Sequence, residues 1–174
     1  IKALVEVAME FGDVVVVAPD SPQSGMGHAI TLENVLRVER VYQFGKDVLS
    51  YQCSGTPADC VKIAIDKIIK KKPDLCVSGI NHGSNSSINV IYSGTMSAAM
   101  EASIDGIPAV GFSLLDYSFE ADFTGAQHFA RLIIKQLLEN GLPSGCLLNV
   151  NFPKLSAEEI KGMRICRQAM ANWE

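Results

Sequence analysis

Residues 76–101 read CVSGINHGSNSSINVIYSGTMSAAME. An apolar start ending at Ser78 and Gly79, a polar loop containing Asn81, Asn85 and Asn89, and a close on Ser93, Gly94 and Thr95 before an alanine-rich run predict strand, loop and helix in that order. In an open α/β sheet such a loop lies at the carboxyl end of a strand, where ligands bind, and the helix that follows offers unpaired N–H groups and a positive dipole end to an anion. Phosphate is the natural guest. Taken singly, Asn and Gly shape an irregular loop and Thr95 caps a helix; the two halves in succession favour an anion site.

The flanking sequence supplies the rest of an α/β pattern. Before the loop, residues 1–11 place Ile1, Leu4, Val5, Ala8 and Phe11 at helical spacing with Gly12 past the end, and 13–18 (DVVVVA) is the β-branched run of a strand buried on both faces. APDSPQSGMGH then reads as a loop on the same rim as the 80s loop. VLRVERVYQF and VLSYQC, around Gly45, suggest a β excursion of two strands joined by a turn. Thr56, Pro57 and Asp59 form a helix start signal, followed by apolar Cys60, Ile63, Ala64, Ile68 and Ile69. After the loop come a helix over 95–105, a strand over 107–114, a helix over 122–140, and strands over 146–152 and 163–166. Repeated strand–helix units imply a mostly parallel sheet with helices on both faces.

At 174 residues the chain has the length of about one domain. No apolar run approaches the roughly 20 residues of a membrane span. A net charge of −4, with no basic cluster beyond Lys70, Lys71 and Lys72, argues against nucleic-acid polymers. Cys53, Cys60, Cys76, Cys146 and Cys166 lack short paired spacing, and most sit in apolar runs, which suggests reduced core thiols in a cytoplasmic protein. His28, His82 and His128 stand apart from them, so zinc is disfavoured. The chain opens inside a helical pattern at Ile1 and stops at Glu174 without a terminating signal, so truncation at both ends of a single domain spanning 1–174 is expected.

There is no G-x-x-x-x-G-K-[ST], no G-x-G-x-x-G and no G-x-S-x-G. The positive evidence is the ordered set APDSPQSG (18–25), SGTPADC (54–60), SGINHGSN (78–85), YSGTMSAAME (92–101) and LNVNFP (148–153). In these motifs and their spacing the sequence closely resembles the SurE family of stationary-phase survival proteins, over nearly its whole length. The resemblance implies a Rossmann-like three-layer α/β/α fold, a homodimer or homotetramer, and an acid-phosphatase-like 5′-nucleotidase that hydrolyses nucleoside 5′- and often 3′-monophosphates with Mg²⁺ or Mn²⁺. By position, Ser24 matches the family's serine metal ligand, Asn81 its asparagine ligand, and Ser93, Gly94 and Thr95 its phosphate-holding turn. The family's two aspartate ligands, in an Asn-Asp-Asp-Gly motif ending the first strand, have no counterpart here, and its C-terminal arm is absent too.

A hydroxyl and an amide carbonyl are neutral ligands that can finish the shell of Mg²⁺ or Mn²⁺ but do not hold either without carboxylates. Asp59 and Asp20 are the remaining candidates. Asp59 is accounted for by capping and Asp20 by the turn after Pro19. His82 reads as a solvent-facing loop residue. Beside the phosphomonoesterase stands a second reading, a non-catalytic α/β module that binds a phosphorylated metabolite. An oxidoreductase is disfavoured by the missing dinucleotide fingerprint.

Overall fold

The computed structural model describes residues 1–170. The helix α1 spans Lys2–Ala8, and β1, Val15–Pro19, follows it. Next come β2, Val38–Val41, and β3, Leu49–Cys53, which pair antiparallel about the turn at Gly45, where φ is 94°. The helix α2, Pro57–Ile63, continues into one π-helical turn, Ala64–Ile68. The strand β4, Cys76–His82, leads through a 3₁₀ helix, Ser87–Tyr92, into α3, Gly94–Ile104. The chain then forms β5, Ala109–Leu114, α4, Thr124–Asn140, and β6, Leu147–Phe152.

The helices cover both faces. Leu4 and Val7 of α1 and Phe129, Ile133, Ile134 and Leu137 of α4 pack with Ile80, Val110, Phe112, Leu114 and Phe152 in one core cluster. On the opposite face Met96, Ala99 and Ala102 of α3 pack with Ala109, and Val61, Ile65 and Cys76 close over them. Small residues let α3 approach closely: a Cβ on Gly111 would stand 2.4 Å from the Met96 sulfur. The result is the expected Rossmann-like three-layer α/β/α arrangement.

The strands fall into two three-stranded sheets, ordered β1-β3-β2 and β4-β5-β6. All pairings are parallel except β2 with β3. The β excursion is therefore more than a hairpin, because β3 lies between β2 and β1 and joins β1 over Val15↔Leu49 to Pro19↔Cys53. β1 and β4 are each a sheet edge, and both edges line one cavity of about 1660 Å³, together with residues of α1 and α2. Within the β-branched run Val16 is buried, and Val14, Val15 and Val17 are half-buried where they line the cavity.

Three other expectations are corrected. The strand predicted to end at Gly79 runs on to His82, because β5 supplies partners for Asn81 (Ser113) and His82 (Leu114) after a bulge between Ser78 and Asn81. The segment 163–166 is not a strand; it pairs with no other strand among the described residues, and Ile165 is almost fully exposed. Cys53 and Cys60 are buried core thiols and Cys76 is half-buried, but Cys146 and Cys166 are exposed. The end at Glu174 lies outside the described residues.

Candidate functional site

The site begins with the start of α3. Ser93 has extended backbone, and its hydroxyl accepts the Met96 N–H at 3.1 Å, while its carbonyl accepts the Ser97 N–H at 2.9 Å and the Ser97 hydroxyl at 2.7 Å. Ser93 is thus the N-cap, not Thr95 as the sequence suggests. The N–H groups of Gly94 and Thr95 precede the first intrahelical bond and carry the positive end of the helix dipole. The Thr95 hydroxyl makes no hydrogen bond to any described residue. Gly94 is needed for space: a Cβ there would stand 2.9 Å from Cγ of Pro57 and 3.5 Å from the Gln23 carbonyl.

That second contact brings the loop after β1 against the turn. Gly27, at φ 58°, donates its N–H to the Tyr92 carbonyl at 3.3 Å, which fixes the far side of the same loop. Ser24, exposed in this loop, lines the same cavity as Asn81, Ser93, Gly94 and Thr95. Asn81 sits on β4 rather than in a loop. Its Nδ2 donates to the Gly83 carbonyl at 3.0 Å, which turns the Oδ1 acceptor away from that bond. The five residues singled out in the sequence therefore all line one cavity.

The sequence shows Asn85 only as part of the loop, yet three hydrogen bonds hold it. Its Nδ2 donates to the Ser113 hydroxyl at 2.6 Å, its N–H to Asn151 Oδ1 at 2.9 Å, and its carbonyl accepts from Asn149 Nδ2 at 2.8 Å. Asn151 in turn donates to Asn149 Oδ1 at 3.0 Å. Asn85 lines the cavity, and the only sequence signal for the network is the alternating Asn-Val-Asn of LNVNFP, which places both partners on one face of β6.

The donor set for a divalent ion is incomplete. Ser24 and Asn81 offer neutral oxygens, and no group of three His, Cys, Asp or Glu side chains is arranged to hold a metal among the described residues. Hard cations of this kind are bound through carboxylates, so these residues by themselves do not fit Mg²⁺ or Mn²⁺. Asp59 is occupied: it completes a capping box with Thr56 and accepts the Thr31 hydroxyl at 2.6 Å. Burial would raise its pKa, but the bonds from Thr31 and Thr56 outweigh that and hold it below the usual carboxylate value. His82 is exposed and meets Phe123 edge-on, ring centroids 5.1 Å apart.

The model of the family described as survival protein SurE matches residues 1–174. The chain belongs to the SurE family. It is 66% identical over 175 residues to the 5′-nucleotidase SurE of Christiangramia forsetii, covering 100% of this chain and 67% of that protein. To the 5′-nucleotidase SurE of Flavobacterium psychrophilum it is 60% identical over 174 residues, covering 100% and 68%. The crystal structure of the SurE protein from Aquifex aeolicus matches with a TM-score of 0.86 at 41% identity, covering 97% of this chain and 66% of that one. The chain thus spans about two thirds of the length of these SurE relatives.

Proposed function

We propose that the protein is a phosphomonoesterase that hydrolyses nucleoside 5′-monophosphates, and 3′-monophosphates as well, to nucleoside and phosphate. The observation that carries the reading is the meeting of the Ser24 loop with the start of α3 at one cavity, where Thr95 presents an unused hydroxyl. The names of the relatives, 5′-nucleotidase SurE, support the substrate class.

In this reading the phosphate rests on the N–H groups of Gly94 and Thr95 and on the Thr95 hydroxyl, with Ser93 holding the turn in shape. Preoriented donors of this kind strengthen their interaction as charge grows on the equatorial oxygens. Ser24 and Asn81 would contribute neutral oxygens to the shell of Mg²⁺ or Mn²⁺, which needs carboxylates as well; Asp20 lines the same cavity, but among the described residues no group of three His, Cys, Asp or Glu side chains is arranged to hold the ion. A second reading, a module that binds a phosphorylated metabolite without turnover, would use the same Ser93–Thr95 turn. A homodimer or homotetramer in the cytoplasm completes the proposal.

Phosphate release from a panel of nucleoside monophosphates, with and without Mn²⁺, separates the two. Release that depends on metal supports the enzyme; saturable nucleotide binding without release supports the binding module.

A further inference from the structure

Past Ser24, the loop is tied down by two buried carboxylates that belong to different helices. Glu101, on α3, accepts from Lys62 Nζ at 2.9 Å on one oxygen and meets His28 Nε2 at 2.6 Å with the other. Asp59, on α2, takes the Thr31 N–H at 3.1 Å on one oxygen and the Thr31 hydroxyl at 2.6 Å on the other. Between these ties the Ala29 carbonyl accepts the Thr56 hydroxyl at 2.6 Å. Burial alone would raise the Glu101 pKa; the hydrogen bonds from Lys62 and His28 pull it below the usual value, so the carboxylate is ionised near neutral pH.

The two ends of this arrangement share a rigid element. Glu101 lies six residues along α3 from Thr95, about 9 Å at the rise of an α-helix, and His28 lies four residues along the loop from Ser24. The helix whose first turn faces the cavity therefore also grips the loop that carries Ser24. Lys62 is half exposed and already neutralises Glu101, so the His28 contact is not required to keep that charge buried. Its effect falls on the loop.

We propose that Glu101 and His28 form a positioning pair that sets the reach of Ser24 relative to Asn81 and the Ser93–Thr95 turn. The proposal rests on the phosphomonoesterase reading of that rim, and neither residue is assigned any contact with substrate. A charge-assisted hydrogen bond is among the stronger single contacts available to a surface loop. Its loss leaves the segment between Asp20, whose N–H is held by the Cys53 carbonyl, and Ala29 resting on the bond from the Gly27 N–H to the Tyr92 carbonyl.

The test is hydrogen exchange by mass spectrometry together with nucleotide turnover, on His28→Ala, His28→Gln, Glu101→Gln and Lys62→Met. Removing His28 or neutralising Glu101 should speed exchange over 22–28 by about tenfold, as expected for one lost charge-assisted bond, with α3 unchanged. Turnover should fall several-fold in the same two variants with KM little altered. His28→Gln, which can still donate to Glu101, should restore both readouts, and Lys62→Met should change neither by more than about twofold. Parental exchange over 22–28 in His28→Ala overturns the proposal, and so does faster exchange there with parental turnover. If Glu101→Gln loosens the whole of α3, His28→Ala decides the matter alone. Absence of phosphate release in the parent would count against the proposed function, while the exchange data would still decide whether the pair holds the loop.

Discussion

The Ser93 hydroxyl caps the Met96 N–H at 3.1 Å, and this bond releases Thr95 from the structural duty its sequence position suggests. The two hydroxyls of one turn thus have separable roles. Thr95→Val keeps the shape, leaves the cap in place and removes one donor. Turnover should drop by a factor of about 10² to 10³ with a melting temperature close to the parent's. Ser93→Ala should instead cost about 1 kcal/mol of stability, the usual worth of an N-cap. Calorimetry and phosphate release on the two variants check the division, and parental turnover in Thr95→Val would remove Thr95 from the site.

Gly94 should tolerate no side chain while Pro57 is present. A Cβ at 2.9 Å from Pro57 Cγ forces the starts of α2 and α3 apart, and overpacking of this kind costs about 1–3 kcal/mol. Gly94→Ala should therefore melt earlier, and Gly94→Ala with Pro57→Ala should recover part of the loss. Urea midpoints for the double-mutant cycle measure the coupling; strictly additive losses would show that the strain lies elsewhere.

Asp59 should leave a signature in acid unfolding. Its pKa is lower in the folded protein than the ordinary 3.8, so the stability it supplies is complete above that value and is lost as pH falls through the lowered folded value. Asp59→Asn should be less stable than the parent at pH 7, and the gap should narrow below pH 3.8. Urea titrations at pH 7, 5 and 3 test this. A gap independent of pH would mean that the lost stability does not come from the ionised carboxylate.

Ser113 is fully buried and receives the Asn85 amide at 2.6 Å. Ser113→Ala leaves that N–H without its partner, at a cost of about 1–3 kcal/mol. The change should also loosen the 80s loop, read as faster exchange over 83–87 with β5 still protected. Unchanged exchange would show that Asn149 and Asn151 suffice to hold Asn85.

The layered architecture was legible because each strand and helix carries its own period, and capping chemistry at Thr56, Pro57 and Asp59 marked the start of α2 without outside help. The five candidate residues come from local motifs, and the fold brings all five to the lining of one cavity. What sequence reading lost was long-range. The extension of β4 to His82 depends on Ser113 and Leu114 of β5, and the hold on Asn85 depends on residues at least 28 positions away. Thr31 gave no signal for Asp59, since nothing in a loop sequence announces which buried carboxylate it will meet. The run at 163–166 shows the opposite error: strand-like residues with no neighbouring strand form no ladder.

Among the described residues β1 and β4 each pair on one side only, which leaves two rows of backbone donors and acceptors beside an apolar cavity. Such edges are templates for any extended chain, and proteins normally blunt them with charge, proline or a covering element. Here Val15, Val16 and Val17 on one side and Cys76 and Val77 on the other offer β-branched and apolar side chains instead. A polypeptide of these 174 residues prepared alone should accordingly self-associate in a concentration-dependent way. Its colloidal behaviour would then be governed by two uncovered ladders rather than by its net charge.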